Sequence, residues 1–306
     1  MANEMKNNKT ISIVDGLRVP ALFDVDLFRS GLEYETQSDD IFIVTYPRSG
    51  THWMSTIVYG LLTDGKPFNE DMGDYLGRIQ FLDRFGKDAV KTKMIRPGVI
   101  QTHYPFNRIL YHPEAKYIGV IRQPKDVCVS CYQILSSNPE FQFSQMDFST
   151  FFQLFINGQT PYIDYFDHLD LLWSHKDDKN VLLISYEQMK NDLRSVIDKV
   201  AQFLNIDMRD KNQLIDRIEK HSSFEYMKEN FDSSRHCFLM KQGQQSEDSI
   251  TFIRKGIVGD WSSFMNDEQS QQLDRITAEK TRHMLGLSSF WNPSSKIDKH
   301  EQESIN

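Results

Sequence analysis

Four short stretches carry residues whose types and spacing suit chemistry. The first is TYPRSGTHW at 45–53, which sets Arg48, Ser49, Gly50, Thr51 and His52 directly after a hydrophobic run. Successive backbone N–H groups at a helix start, two hydroxyls and a glycine that lets the backbone approach closely would cradle a phosphate-like anion. The same letters also spell an ordinary helix start capped by Ser or Thr. The common nucleotide loop G-x-x-x-x-G-K-[ST] is absent, and the cation is Arg48. The second stretch, QTHYPF at 101–106, holds His103 in a short polar segment before Pro105. An imidazole there can take a proton from a hydroxyl near neutral pH, or it is a plain loop histidine. The third, VIRQPKDVCVS at 120–130, places Arg122 after an apolar run and Ser130 about two helical turns on. A guanidinium fork suits a terminal phosphate, and the bland alternative is a surface pair with Asp126. The fourth, TFIRKGIVGDW at 251–261, sets Arg254 and Lys255 beside Gly256, a clamp for an anion or a solvated charged loop.

The elements that must position these residues follow from three apolar runs, IFIVTY (41–46), YIGVI (117–121) and VLLISY (181–186). Each reads as a buried parallel strand and leads through a polar turn into a helical pattern. After the third run, Val196, Ile197, Val200, Phe203 and Leu204 keep helical spacing. Strand, turn and helix in repetition predict an α/β fold: one domain over 1–306, core about 38–290, with a central parallel sheet flanked by helices. Ligands of such sheets bind beyond the C-terminal strand ends, so the turns after Tyr46, Ile121 and Tyr186 should share one site. Residues 64–100 read as a long insertion serving as lid or pocket wall, and 230–256 as loop-rich. The polar tail 292–306 should fray.

The whole chain narrows the classes further. Hydrophobic residues make up 39% of it and aromatics 12%, enough for a packed core, and the net charge is −8. No block of Lys or Arg stands out, so nucleic-acid binding is not expected. No apolar run reaches the length of a membrane span, and MANEMKNNKT lacks the apolar core of a signal peptide. Three cysteines, Cys128, Cys131 and Cys237, fit a reducing, cytoplasmic setting. Cys128 and Cys131 form a C-x-x-C within a helical segment and read as ordinary buried thiols; no spacing makes a metal site.

Taken in order, the four stretches resemble the cytosolic sulfotransferase family. TYPRSGTHW is similar to that family's TYPKSGTTW loop, QTHYP to its KTHLP-type segment, IRQPKDVCVSCY to RNPKDVAVSYY, and FIRKGIVGDW to RKGxxGDW. YEQMKNDL at 186–193 and HSSFEYMKEN at 221–230 match further shared pieces, so the resemblance spans about 41–261. It implies a P-loop-like phosphosulfate loop, 3′-phosphoadenosine 5′-phosphosulfate (PAPS) as cosubstrate, and adenosine 3′,5′-bisphosphate (PAP) as product. It further implies transfer of the sulfuryl group to an acceptor, and His103, suited to take a proton from a hydroxyl, points to a small phenol or alcohol as that acceptor. By the same resemblance, Arg48, Ser49, Gly50, Thr51, His52 and Trp53 hold the 5′-phosphosulfate, with Trp53 stacked on the adenine. Arg122, Ser130, Arg254, Lys255 and Gly256 grip the 3′-phosphate. Tyr186, Ser222 and Phe224 frame the adenine, and His103 is the catalytic base. Phe23, Phe81, Phe85, Tyr104, Phe141 and Phe143 are candidates for an apolar acceptor pocket.

Two departures from the pattern matter. Arg48 stands where the family carries Lys, so it should stabilise the leaving oxygen by charge without giving up a proton. His52 stands where Thr or Asn is usual and would add a second cation if protonated. The family's K-x-x-x-T-V-x-x-x-E dimer motif is unmatched at Ser262, Asn266, Asp267 and Gln271, which predicts a monomer or a dimer built differently. Alternatives to the enzyme are a P-loop-type kinase, disfavoured by the missing lysine, and a nucleotide-binding protein with weak or no catalysis.

Overall fold

A computed structural model describes residues 12–20, 23–137, 143, 146–208, 212–241, 253 and 255–292, with side chains of its longest helix given as far as Arg235. Strands β1 (Ile13–Val14) and β2 (Leu17–Arg18) form a small antiparallel ribbon. Strands β3 (Ile41–Thr45), β4 (Ile79–Phe81), β5 (Val99–Thr102), β6 (Lys116–Ile121) and β7 (Val181–Ser185) form one parallel sheet in the order β4-β5-β3-β6-β7.

The near-continuous apolar runs follow from burial on both faces. Successive side chains of a strand point to opposite sides. Phe42 and Val44 enter one core with Tyr117 and Ile121, while Ile43 enters a second core with Ile118, Val120 and Ile184. One run of sequence thus supplies two hydrophobic layers, which is why no alternation is visible.

The chain leaves β3 for β4 and β5 on one side of the sheet, then crosses to β6 and β7 on the other. The reversal lies between β3 and β6. There the helix Thr51–Leu62 follows β3, and the helix Pro124–Ser137 follows β6. A crevice opens at such a switch point.

Two segments differ from expectation. Residues 64–100, read as a long insertion serving as lid or pocket wall, do supply cavity wall at Tyr75, Phe81 and Phe85, but they are regular structure: the helices Met72–Arg78 and Leu82–Asp88, a π-helical turn Ala89–Lys93, and all of β4. Both extra strands are short, and each carries a glutamine, Gln80 and Gln101. Gln101 is buried and donates to Ser55 Oγ at 2.6 Å, so its amide nitrogen is satisfied inside the core. Residues 230–241 are helical, the continuation of Phe224–Lys241. That helix buries only Met227 and Phe231 among its described side chains, so its sequence shows little period. Residues 293–306, where fraying was expected, lie outside the described residues.

Candidate active site

The site is built on the turn after β3. Ser49 N–H donates to Tyr46 O at 3.2 Å, closing a tight turn. Arg48 (φ +70°) and Gly50 (φ +116°) both take left-handed backbone. Gly50 is the N-cap of the helix Thr51–Leu62, and no side chain caps that helix start. Its first N–H groups therefore remain for a ligand, together with the positive end of the helix dipole. Neither hydroxyl serves as the cap. Thr51 Oγ1 sits 2.7 Å from Thr45 Oγ1, and Ser49 Oγ is buried without a hydrogen-bond partner among the described residues.

His103 follows β5, and its placement is fixed from two directions. Its backbone N–H donates to Asp83 Oδ2 at 2.7 Å, and its ring packs edge-on against Phe81 and Tyr162. Nδ1 lies 2.7 Å from Thr45 O. A carbonyl only accepts, so the proton sits on Nδ1 and Nε2 keeps its lone pair. Burial, reinforced by the Arg48 charge, pushes the His103 pKa down to about 4. The ring is neutral at physiological pH and ready to accept a proton at Nε2. Asp83, fully buried behind it, is raised to about 7 by burial.

The helix after β6 contributes the second group of residues. Arg122 is buried, stacks over the Tyr186 ring at 4.1 Å, and donates to Arg48 O (3.1 Å) and Ile257 O (3.2 Å). Its Nε has no partner among the described residues. Asp126 does pair with Arg122, at 4.0 Å, but inside the protein rather than on its surface. Its carboxylate chiefly accepts from Gly259 N (2.8 Å) and Trp261 N (3.2 Å), which pins the 255–261 loop onto this helix. Ser130 Oγ accepts from Arg48 Nε at 3.1 Å, joining the two strand-end turns. Cys128 and Cys131 are buried free thiols on the same helix, and Cys131 is pushed up to about 12 by burial.

A cleft of about 240 Å³ results. Arg48, Gly50, Thr51, His52, Trp53, Arg122, Ser130, Tyr186, Phe224, Lys255 and Gly256 line it. Trp53 and Tyr186 meet edge to face at 5.3 Å, and Lys190 lies over both Trp53 and Phe224. Gly256 has φ +62°, and a Cβ there would fall 2.2 Å from the Phe224 ring, so only glycine lets this loop close on that ring. Lys255 is tied to Asp260 at 2.8 Å. Ser222 does not line the cleft: it is buried and its hydroxyl donates to Ile218 O. Arg254 lies outside the described residues. Orphaned buried donors at Arg122 Nε and Trp53 Nε1 and the uncapped helix start fit an anionic nucleotide, whereas Ser49, fully buried behind the loop, does not line the cleft.

A second cavity, about 570 Å³, adjoins the first. Pro47, Arg48, His52, Phe81, Gln101, His103 and Ile134 form the wall common to both. Phe23, Phe81 and Phe85 line the larger cavity as expected of acceptor-pocket candidates, with Tyr75, Tyr162 and Phe231. Tyr104 and Phe143 do not. Tyr104 is core, its hydroxyl donating to Phe28 O at 2.6 Å, and Phe143 packs on Phe151. Phe141 lies outside the described residues. His52 lines both spaces, but burial drives its pKa down to about 3, so it supplies no second positive charge. Sequence reading missed Thr45 beside His103, Lys190 at the cleft, and Arg84, Lys93 and Arg235 on the wall of the larger cavity, because their placement depends on tertiary neighbours alone. Among the described residues no cluster of His, Cys, Asp and Glu could hold a metal ion, and no helix is long and apolar enough to cross a membrane.

This architecture and chain have known counterparts. The model of the sulfotransferase domain matches residues 38–285. The rabbit (Oryctolagus cuniculus) amine sulfotransferase is 31% identical over 274 residues, covering 89% of this chain and 90% of its own length. The guinea pig (Cavia porcellus) 3-beta-hydroxysteroid sulfotransferase is 31% identical, covering 87% and 92%. Among solved structures, mouse sulfotransferase SULT7A1 complexed with PAP superposes with a TM-score of 0.72 at 28% identity, covering 89% of this chain and 94% of that one. By domain match, by sequence along nearly the whole chain and by fold, the chain belongs to the sulfotransferase family.

Proposed function

We propose that this sulfotransferase moves the sulfuryl group of PAPS onto a hydroxyl of a small phenol or alcohol, with His103 as base and Arg48 stabilising the leaving phosphate. The observation that carries the reading is His103: Nδ1 locked to Thr45 O, ring neutral, set in the wall between a cationic cleft and an aromatic cavity. The cleft takes the nucleotide. Its helix start, Arg48 and Arg122 meet the phosphates, while Trp53, Tyr186 and Phe224 face the base. The larger cavity takes the acceptor.

In the reaction, the acceptor hydroxyl gives its proton to His103 Nε2 as its oxygen bonds to sulfur. The bond from sulfur to the phosphate oxygen breaks, and its electron pair stays on that oxygen. The Arg48 guanidinium and the loop amides are the donors for the charge that builds there. Arg48 stays charged throughout, so it acts by electrostatics rather than proton donation. Base assistance of this kind contributes on the order of 10²–10⁴-fold.

The mismatch of Ser262, Asn266, Asp267 and Gln271 with the family's dimer motif favours a monomer, or a dimer that does not use the segment after Trp261. Asn266 caps the helix Asp267–Thr281 through Gln269 N, and Gln269 returns the bond in a capping box, so this stretch serves its own helix. The test of function is incubation with sulfur-labelled PAPS and a panel of phenols, alcohols, steroids and amines, with mass spectrometry of products. Sulfated hydroxyl products are expected. PAP binding without turnover on any acceptor would defeat the catalytic reading.

A further inference from the structure

Sulfur changes hands where the two cavities meet. Among the described residues, the polar side chains on their common wall are Arg48, His52, Gln101 and His103. Gln101 takes no part in the proton transfer or in holding the leaving oxygen. It lies on β5, two residues before His103, and strand alternation sends the two side chains to the same side of the chain. QTHYP sets this glutamine where the family's KTHLP-type segment carries Lys. Lysine only donates, whereas an amide both donates and accepts.

Which half of the amide faces the cavities follows from its neighbour. Ser55 Oγ donates its single hydrogen to Thr51 O at 2.8 Å. Toward Gln101 the same oxygen can then only accept, so the group 2.6 Å away is Nε2. Oε1 takes the other branch of the amide. It accepts no hydrogen bond from a described residue, and it is not sealed off from the open space that Gln101 lines. A carbonyl oxygen there repels the sulfuryl oxygens, which are acceptors too, and can bind only a donor. The reacting hydroxyl has one hydrogen, and His103 Nε2 takes it. The acceptor molecule satisfies Oε1 only by bringing a second donor close to the first.

We propose, resting on the acceptor reading above, that Gln101 is a specificity-determining residue and that the preferred acceptor is a catechol, a phenol with a second hydroxyl beside the reacting one. One hydroxyl gives its proton to His103 Nε2 as its oxygen bonds to sulfur, and the electron pair of the broken sulfur–oxygen bond stays on the phosphate oxygen. The neighbouring hydroxyl keeps its hydrogen and donates it to Gln101 Oε1. A methyl group in its place strips water from Oε1 and returns no hydrogen bond, and a methoxy group sets one acceptor against another. Phe81 and Tyr162, which flank the His103 ring and line the larger cavity, give the aromatic ring of such an acceptor its apolar wall.

The test measures kcat/KM with labelled PAPS for catechol, 2-methylphenol and 2-methoxyphenol, and for 2-hydroxyestrone against 2-methoxyestrone, a pair that fills more of the cavity. Each is read in the parent, in Gln101→Met and in Gln101→Lys. Hydroxyl and methyl groups are close in size, so catechol against 2-methylphenol isolates the donor, and comparison between variants cancels the intrinsic acidity of each phenol. In the parent, catechol should lead by about tenfold, the worth of one hydrogen bond to an otherwise unsatisfied acceptor, against the roughly twofold that two equivalent hydroxyls give by statistics. Gln101→Met removes the oxygen and keeps an unbranched chain, so the lead should shrink to about twofold. Gln101→Lys turns a donor toward the site, and 2-methoxyphenol should gain on catechol. PAP affinity and thermal unfolding check that both variants fold, and the Lys variant decides if the Met variant folds poorly. A parent lead of only about twofold, or ratios indifferent to both substitutions, overturns the role of Gln101 and leaves the catalytic reading standing. Transfer to none of the five compounds by a protein that still binds PAP removes both.

Discussion

Replacing Arg48 separates charge from backbone in a way few positions allow. Its carbonyl accepts from Arg122 Nη1, and its φ of +70° shapes the turn; both are main-chain features that survive any side-chain change. The left-handed backbone costs roughly 1–2 kcal/mol for any residue other than glycine, so that cost cancels between Arg, Lys and Met. What Arg48→Met removes is the guanidinium and its bond to Ser130 Oγ. Loss of one preorganised donor to a developing oxyanion lowers kcat by about 10²–10³, or about 2.7–4 kcal/mol. Arg48→Lys keeps a cation in the same loop and should stay within about tenfold of the parent. The assay is initial-rate sulfation at saturating PAPS, with PAP affinity from calorimetry and thermal unfolding as the check on folding. Because the interaction is strongest in the transition state, kcat should fall in Arg48→Met far more than PAP affinity does. A Met variant within about threefold of the parent kcat would refute the electrostatic role.

Other expectations follow from the same site. His103→Gln should lower kcat by about 10²–10⁴-fold. With the folded pKa held down near 4, the free base persists well below the ordinary histidine range. Activity measured as kcat/KM should therefore stay level as pH falls from 8 to about 5, and an acid limb centred near 6.5 would contradict the burial argument. Gly256→Ala puts a methyl group 2.2 Å from a Phe224 ring carbon at a φ of +62°. It should weaken PAP binding by about tenfold, the cost of a left-handed alanine, as read by calorimetry; unchanged affinity would show that the loop does not close on the base-stacking ring.

The catalytic ends of the sheet were legible because they coincide with its most apolar strands. β3, β6 and β7 are buried on both sides, so each announces itself as a run of Ile, Val, Leu and Tyr, and the turn after each lines the cleft, whereas the proposed base His103 follows the short strand β5. β4 and β5 stayed hidden because each is short and carries a glutamine, and only the packed structure shows that Gln101 finds Ser55. The phosphate cradle could be read from Gly50 and its neighbours, since a helix start is a local feature. The acceptor pocket could not. Tyr104 neighbours His103 in sequence yet points into the core, where Phe28 O takes its hydroxyl. Arg235 enters from a helix more than 130 residues downstream of His103, on a segment with too little period to be recognised as helical. Thr45 fixes the histidine tautomer through its carbonyl, an atom that every residue has, so no side-chain signal could reveal it.

The contrast between a net negative chain and two cation-lined cavities also bears on how ligands arrive. At low ionic strength, where the Debye length grows well past the roughly 8–10 Å of ordinary buffers, an approaching anionic ligand meets the net negative field of the whole protein, which repels it. Within that distance it meets the local cations, which hold it. Added salt acts on the two ranges in opposite directions: it lowers the long-range barrier to encounter and loosens the short-range grip. Ionic strength is thus a dial on the exchange rate of the nucleotide: salt eases both its entry and its release, while at low salt the acidic exterior slows arrival at a site built to attract.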